Sequence, residues 1–100
     1  MKALSRNEIT ETLLVKLKDW KFEGEYIERD FKFKTFVEAF SFMTAVALEA
    51  EKMDHHPDWN NVYNTIKIKL NTHDANGITE LDFELANKTD IIYKNYQRSI

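Results

Sequence analysis

One hundred residues, 43% of them hydrophobic and 31% charged, with two glycines and one proline, are too apolar for disorder and too few for two ordinary cores. Fourteen basic and 17 acidic side chains are interspersed to a net charge of −3, which speaks against direct nucleic-acid binding, since that needs a basic patch. The chain has no cysteine, which excludes disulfides, thiolate metal sites and a cysteine nucleophile.

The expectation is one domain over residues 1–100. Charges interrupt every apolar run before the roughly 18 residues of a membrane helix. Met1–Thr10 lacks the apolar run of a secretion signal, so the expected address is the cytoplasm. Ser5 and Glu8 form a capping box, and Ile9, Leu13, Leu14 and Leu17 follow at helical spacing, which predicts a first helix. Trp20 and Phe22, then Ile27, Phe31 and Phe33, alternate with polar residues around Gly24. This pattern predicts two strands joined by a turn at Glu23-Gly24-Glu25.

Thr35 and Glu38 repeat the capping signature. Phe36, Ala39, Phe40, Met43, Val46, Ala47 and Ala50 then predict a long amphipathic helix to about Met53, with Phe36, Phe40 and Met43 in the core and Phe42 and Leu48 off the buried stripe. Pro57 ends it, since proline cannot extend a helix and biases His56 toward extended backbone. From Trp59 the period becomes two. Ile66, Ile68 and Leu70 alternate with Lys67, Lys69 and Asn71, which predicts a hairpin turning at Asn64-Thr65. Asn76-Gly77 reads as a turn, and Thr79 with Asp82 as the start of a third helix bearing Leu81, Leu85, Ile92 and Tyr96 on one face. The predicted fold is α+β in the order α-β-β-α-β-β-α, a four-stranded antiparallel sheet with three helices packed on one face.

All three histidines, His55, His56 and His73, fall within 55–73. A two-residue loop at Asn64-Thr65 sets His73 opposite position 56, so the imidazoles share one end of the sheet. Strand parity puts His73 on the solvent face with Lys67, Lys69 and Asn71. Imidazoles suit proton transfer at neutral pH and also bind metals. They serve equally as surface polar groups with local hydrogen bonds, and a metal is the weakest reading because the spacing matches no zinc signature. Glu51 and Asp54 flank the pair and could orient an imidazole or stand solvated at the helix end. Trp59 suits either stacking on a flat heterocycle or the core, and Asp82 reads most simply as a helix-start carboxylate.

The run Glu51-Lys52-Met53-Asp54-His55-His56-Pro57-Asp58-Trp59-Asn60-Asn61-Val62-Tyr63-Asn64, with Thr72-His73, Asp82 and the Phe42–Ala47 segment, closely resembles the pterin-4a-carbinolamine dehydratase family over essentially the whole chain. That family is also known as the dimerisation cofactor of a homeodomain transcription factor. The resemblance implies dehydration of 4a-hydroxytetrahydropterin to quinonoid dihydropterin, with no metal or organic cofactor. By position it implies acid–base roles for His55 and His73, a binding or orienting role for His56, supporting carboxylates in Glu51 and Asp82, and a pocket wall in Trp59. It also implies pterin contacts from Asp54, Asn71 and Thr72, with Asn71 standing where serine is common among relatives. Further implications are a homodimer or homotetramer and, in the alternative, an interaction partner acting through a helix surface; a hydroxylase or regulator partner is left open.

Overall fold

A computed structural model describes residues 2–97; Met1 and residues 98–100, which the single-domain reading includes, lie outside the described residues. The elements follow in the expected order: α1 Arg6–Lys16, β1 Lys21–Glu23, β2 Tyr26–Lys32, α2 Phe36–Met53, β3 Asp58–Val62, β4 Thr65–Leu70 and α3 Glu80–Gln97, with one 3-10 turn at His73–Ala75. The antiparallel sheet runs β1-β2-β4-β3. Its inner face, with Ile27, Phe31, Ile66, Ile68 and Leu70, is buried under the helices together with Ile9, Leu13, Leu17, Val46 and Leu85.

The outer face is a charge lattice. Lys21 pairs with Glu28, Glu28 with Lys69 and Lys69 with Asp58 across neighbouring strands. Lys67 lies 3.3 Å from Glu28 and 3.2 Å from Asp30, and hydrogen bonds to Asp30 and then Glu28 raise its pKa above the usual lysine value. Opposite charges facing across strands favour this register. Among the described residues no helix is long and apolar enough to cross a membrane.

Local chemistry sets the boundaries. The Ser5 hydroxyl accepts from Glu8 N–H at 3.1 Å while Glu8 accepts from Ser5 N–H at 2.8 Å, the reciprocal capping the spacing predicts. At α2, Thr35 accepts from Glu38 N–H at 3.1 Å, but the Glu38 carboxylate reaches one residue further back, to Lys34 N–H at 3.2 Å.

The buried stripe of α2 differs from the predicted one. Ala39, Phe42, Val46 and Ala50 face inward, whereas Phe36 and Phe40 are 48% and 56% exposed and Met43 is only partly buried. Phe42, expected off the stripe, is fully buried at ring-centroid distances of 5.0 Å from both Phe31 and Phe33 and 5.8 Å from Tyr93. The reason is that α2 carries apolar residues on nearly every face, so periodicity alone leaves its rotation open. The aromatic cluster between sheet and α3 decides it.

The second hairpin also turns one residue earlier than predicted. Val62 pairs with Thr65, so the loop is Tyr63-Asn64, with Tyr63 in the left-handed region at φ 51°. Asn61 Nδ2 donates to Tyr63 O at 3.0 Å and Thr65 O at 2.9 Å, which holds a conformation a tyrosine rarely adopts. The shift moves each cross-strand partner by two positions and preserves parity, so Ile66, Ile68 and Leu70 still point inward.

Between the β1–β2 side of the sheet and α3, Trp20, Arg29 and Asp90 form a partly buried polar cluster. Trp20 Nε1 and Arg29 Nη1 both donate to Asp90 Oδ1, at 2.9 and 2.8 Å. The guanidinium also lies over the rings of Phe31 and Tyr93, at 4.7 and 5.0 Å.

Candidate active site

The loop after α2 and the segment after β4 meet at one end of the sheet, because Asp58 at the start of β3 pairs with Lys69 near the end of β4. Asp54 ends α2 in the left-handed conformation, φ 51° and ψ 43°. This reversal lets His55 N–H return to Ala50 O at 3.1 Å, and the two adjacent histidines diverge. The His55 side chain turns inward and the His56 ring outward, with side-chain exposures of 9% and 57%.

His55 Nε2 lies 2.6 Å from Oδ1 of Asp82, which is fully buried. Asp82 sits in the first turn of α3, where a carboxylate is favoured by the helix dipole. Its other oxygen, Oδ2, accepts from Thr79 N–H at 2.9 Å and from the Thr72 hydroxyl at 2.9 Å. The Thr72 and Thr79 hydroxyls are themselves 2.7 Å apart, and Thr79 Oγ1 accepts from Leu81 N–H at 3.2 Å. One carboxylate therefore completes a helix cap and grips a histidine. His56 Nε2 pairs with Glu51 Oε1 at 2.9 Å in an exposed hydrogen-bonded contact, which contributes little to stability.

His73 does not face a strand partner. β4 ends at Leu70 and His73 opens the 3-10 turn, so the placement opposite position 56 is replaced by a loop closed by the Thr72–Gly77 bridge. His73 is exposed, as parity suggested, and stands one residue beyond Thr72 in the hydrogen-bonded centre. Trp59 is partly buried against the core, Asn71 is half-buried and Asp54 is exposed. The Thr72 side chain points into the buried network, and its backbone closes the loop, N–H donating to Gly77 O at 2.8 Å and the carbonyl accepting from Ala75 N–H at 3.0 Å. Thr79 carries no role in the sequence reading beyond starting α3, yet it holds both Asp82 and Thr72; its only sequence signal is the capping spacing to Asp82. Among the described residues, no three His, Cys, Asp or Glu side chains are grouped to hold a metal ion.

Fold and site together define a small α+β protein whose polar centre is a buried histidine–carboxylate pair flanked by solvent-facing imidazoles. A family model described as Pterin 4 alpha carbinolamine dehydratase matches residues 2–92, and the chain belongs to that family. A Mesorhizobium japonicum protein, provisionally named a pterin-4-alpha-carbinolamine dehydratase, is 58% identical over 87 residues, covering 85% of this chain and 88% of its own. A Prochlorococcus marinus protein with the same provisional name is 50% identical over 90 residues, covering 90% and 94%. Among solved structures, a transcriptional coactivator/pterin dehydratase from Brucella melitensis superposes with a TM-score of 0.87 at 47% identity, over 92% of this chain and 99% of its own. A pterin dehydratase-like RuBisCO assembly factor of the alpha-carboxysome shares the fold, with a TM-score of 0.66 at 20% identity over 75% and 89%.

Proposed function

We propose that this protein is a 4a-hydroxytetrahydrobiopterin dehydratase, working in the cytoplasm to recycle tetrahydrobiopterin for aromatic amino-acid hydroxylation. The observation that carries this reading is the buried His55–Asp82 pair, at 2.6 Å, beside the solvent-facing rings of His56 and His73. The reaction cleaves the C4a–O bond. One proton goes to the departing hydroxyl, water leaves, and one proton comes off a ring nitrogen, so no proton or electron is consumed overall. Imidazoles can both give and take protons near neutral pH, which suits a step of this balance. His55 and His73 take the acid–base roles and His56 orients the pterin. Trp59 walls the pocket, Asp54, Asn71 and Thr72 hold the heterocycle, and Glu51 and Asp82 support the imidazoles.

The test is dehydration of enzymatically generated 4a-hydroxytetrahydropterin by the purified protein. Acceleration over the spontaneous rate, lost in His55→Ala and His73→Ala, is expected; no acceleration, or variants equal to the parent, overturns the reading.

A second reading rests on α2, where Phe36, Val37, Phe40 and Leu48 are exposed. An apolar helix surface of this kind marks an interaction site, and a small core gains from association. A second copy of the chain is the proposed occupant, giving a dimer or tetramer. Light scattering at micromolar concentration should return a multiple of 11.9 kDa; a monomer mass overturns self-association.

A further inference from the structure

The hydrogens around Asp82 can be assigned by counting donors. Thr79 N–H and Leu81 N–H can only donate, to Asp82 Oδ2 and Thr79 Oγ1 respectively. Each threonine hydroxyl has one proton. Thr72 spends its proton on Asp82 Oδ2, so in the 2.7 Å contact between the two hydroxyls Thr79 must donate and Thr72 accept. The links therefore run one way: Leu81 N–H to Thr79, Thr79 to Thr72, Thr72 to Asp82. A chain of hydrogen bonds pointing in one direction polarises cooperatively. With Oδ2 holding two donors, Oδ1 faces the imidazole at 2.6 Å, a short N–H···O contact.

The other imidazole nitrogen follows from the same accounting. Among the described residues every buried side-chain nitrogen and oxygen has a partner, and the one hydrogen bond of the His55 ring is made by Nε2. His55 Nδ1 must therefore reach solvent.

We infer that Thr79 and Thr72 are positioning residues: their hydroxyl relay, with the Thr79 N–H, anchors Oδ2 and so holds the Asp82 carboxylate with Oδ1 turned to accept from His55 Nε2–H, which leaves His55 Nδ1 as the nitrogen that exchanges a proton with substrate. Only the last clause rests on the dehydratase reading; the tautomer stands without it. Thr79 touches no substrate in this scheme. Its backbone N–H bonds Asp82 Oδ2 directly, and its hydroxyl acts one link further off, through Thr72, on the orientation of the same carboxylate.

Long-range proton–nitrogen NMR of the histidine rings at neutral pH tests the relay without any activity. In the parent, His55 should show a protonated Nε2 and a bare, pyridine-type Nδ1; a protonated Nδ1 in the neutral ring overturns the inference. Thr79→Val, which keeps shape and backbone N–H but removes the hydroxyl, should turn this single tautomer into a mixture, and Thr79→Ser should restore it. Thr72→Val breaks the same relay one link later and should give the same mixture. A His55 spectrum identical to the parent in a folded valine variant also overturns the inference. In the dehydration assay Thr79→Val should lower kcat about tenfold with KM within about twofold, and Thr79→Ser should recover it. A parent that dehydrates nothing removes the functional reading while the NMR result still decides the relay.

Discussion

Trp20 donates its indole N–H to both carboxylate oxygens of Asp90, at 2.9 and 3.1 Å, across 70 residues of sequence. The bond ties the start of β1 to the middle of α3, and Arg29 of β2 joins it at 2.8 Å. Burial of the carboxylate raises its pKa above the ordinary aspartate value, against the opposing hydrogen bond from Trp20 and the charge of Arg29. Because the folded state holds this proton more tightly than the unfolded state, the associated stability is present at low pH and is lost as pH rises through the raised pKa, above about pH 4. Urea unfolding at a series of pH values should therefore show a falling component in the parent that is flattened in Asp90→Asn. The slope is diagnostic, since the variant also loses an ion pair and shifts the whole curve. Equal slopes would count against the assignment.

The rotation of α2 is checked by two alanines. Phe42→Ala empties the centre of the aromatic cluster and should cost about 3–5 kcal/mol, whereas Phe40→Ala, more than half exposed, should cost less than about 1 kcal/mol. Denaturant midpoints decide between this ordering and the reverse, which the simple periodicity of Phe36, Phe40 and Met43 would give.

The two histidine–carboxylate pairs should behave differently. Asp82→Asn disturbs a buried network and should destabilise the fold by about 1–3 kcal/mol, while Glu51→Gln, in an exposed pair, should change stability by less than about 0.5 kcal/mol. Thermal unfolding of both variants measures the contrast. Comparable losses would mean that the exposed pair is held more tightly than its surroundings suggest.

Reactivity of the imidazoles toward an acylating reagent gives an independent reading of the site. His56 and His73 should be modified first and His55 more slowly, in line with their exposure. Peptide mapping by mass spectrometry follows each residue, and Asp82→Ala should bring His55 up toward the rate of the others.

Replacing Leu48, which is 63% exposed on α2, by glutamate should lower the mass seen in light scattering if this face joins copies of the chain, with the circular dichroism spectrum unchanged.

The strands were legible in the sequence because their burial is one-sided. Ile66, Ile68 and Leu70 against Lys67 and Lys69 admit one orientation, and even the misplaced turn left it intact. The helix ends were legible through local capping at Ser5, Thr35 and Thr79. The rotation of α2 was not, because apolar residues all round it gave no unique stripe, and the answer lay in Phe31, Phe33 and Tyr93 elsewhere in the chain. For the site, clustering of the histidines at one sheet end followed from element order. The inward turn of His55 depends on one left-handed residue, Asp54, and the partnership of Thr72, Thr79 and Asp82 on contacts across α3 and the loop before it. Residue type and spacing do not encode such contacts.

The loop carrying His73 is closed by Thr72 N–H to Gly77 O at 2.8 Å and braced from outside, where Leu4 N–H reaches Ile78 O at 2.8 Å. A Cβ on Gly77 would stand 3.0 Å from the Cβ of Ala3, so the two backbones meet with no space for another methyl group. Positions 3 and 77 are therefore not free to drift independently: a larger residue at one requires the other to stay small or the brace to lift. Paired substitution at these two positions is the mark this contact should leave on the history of the chain.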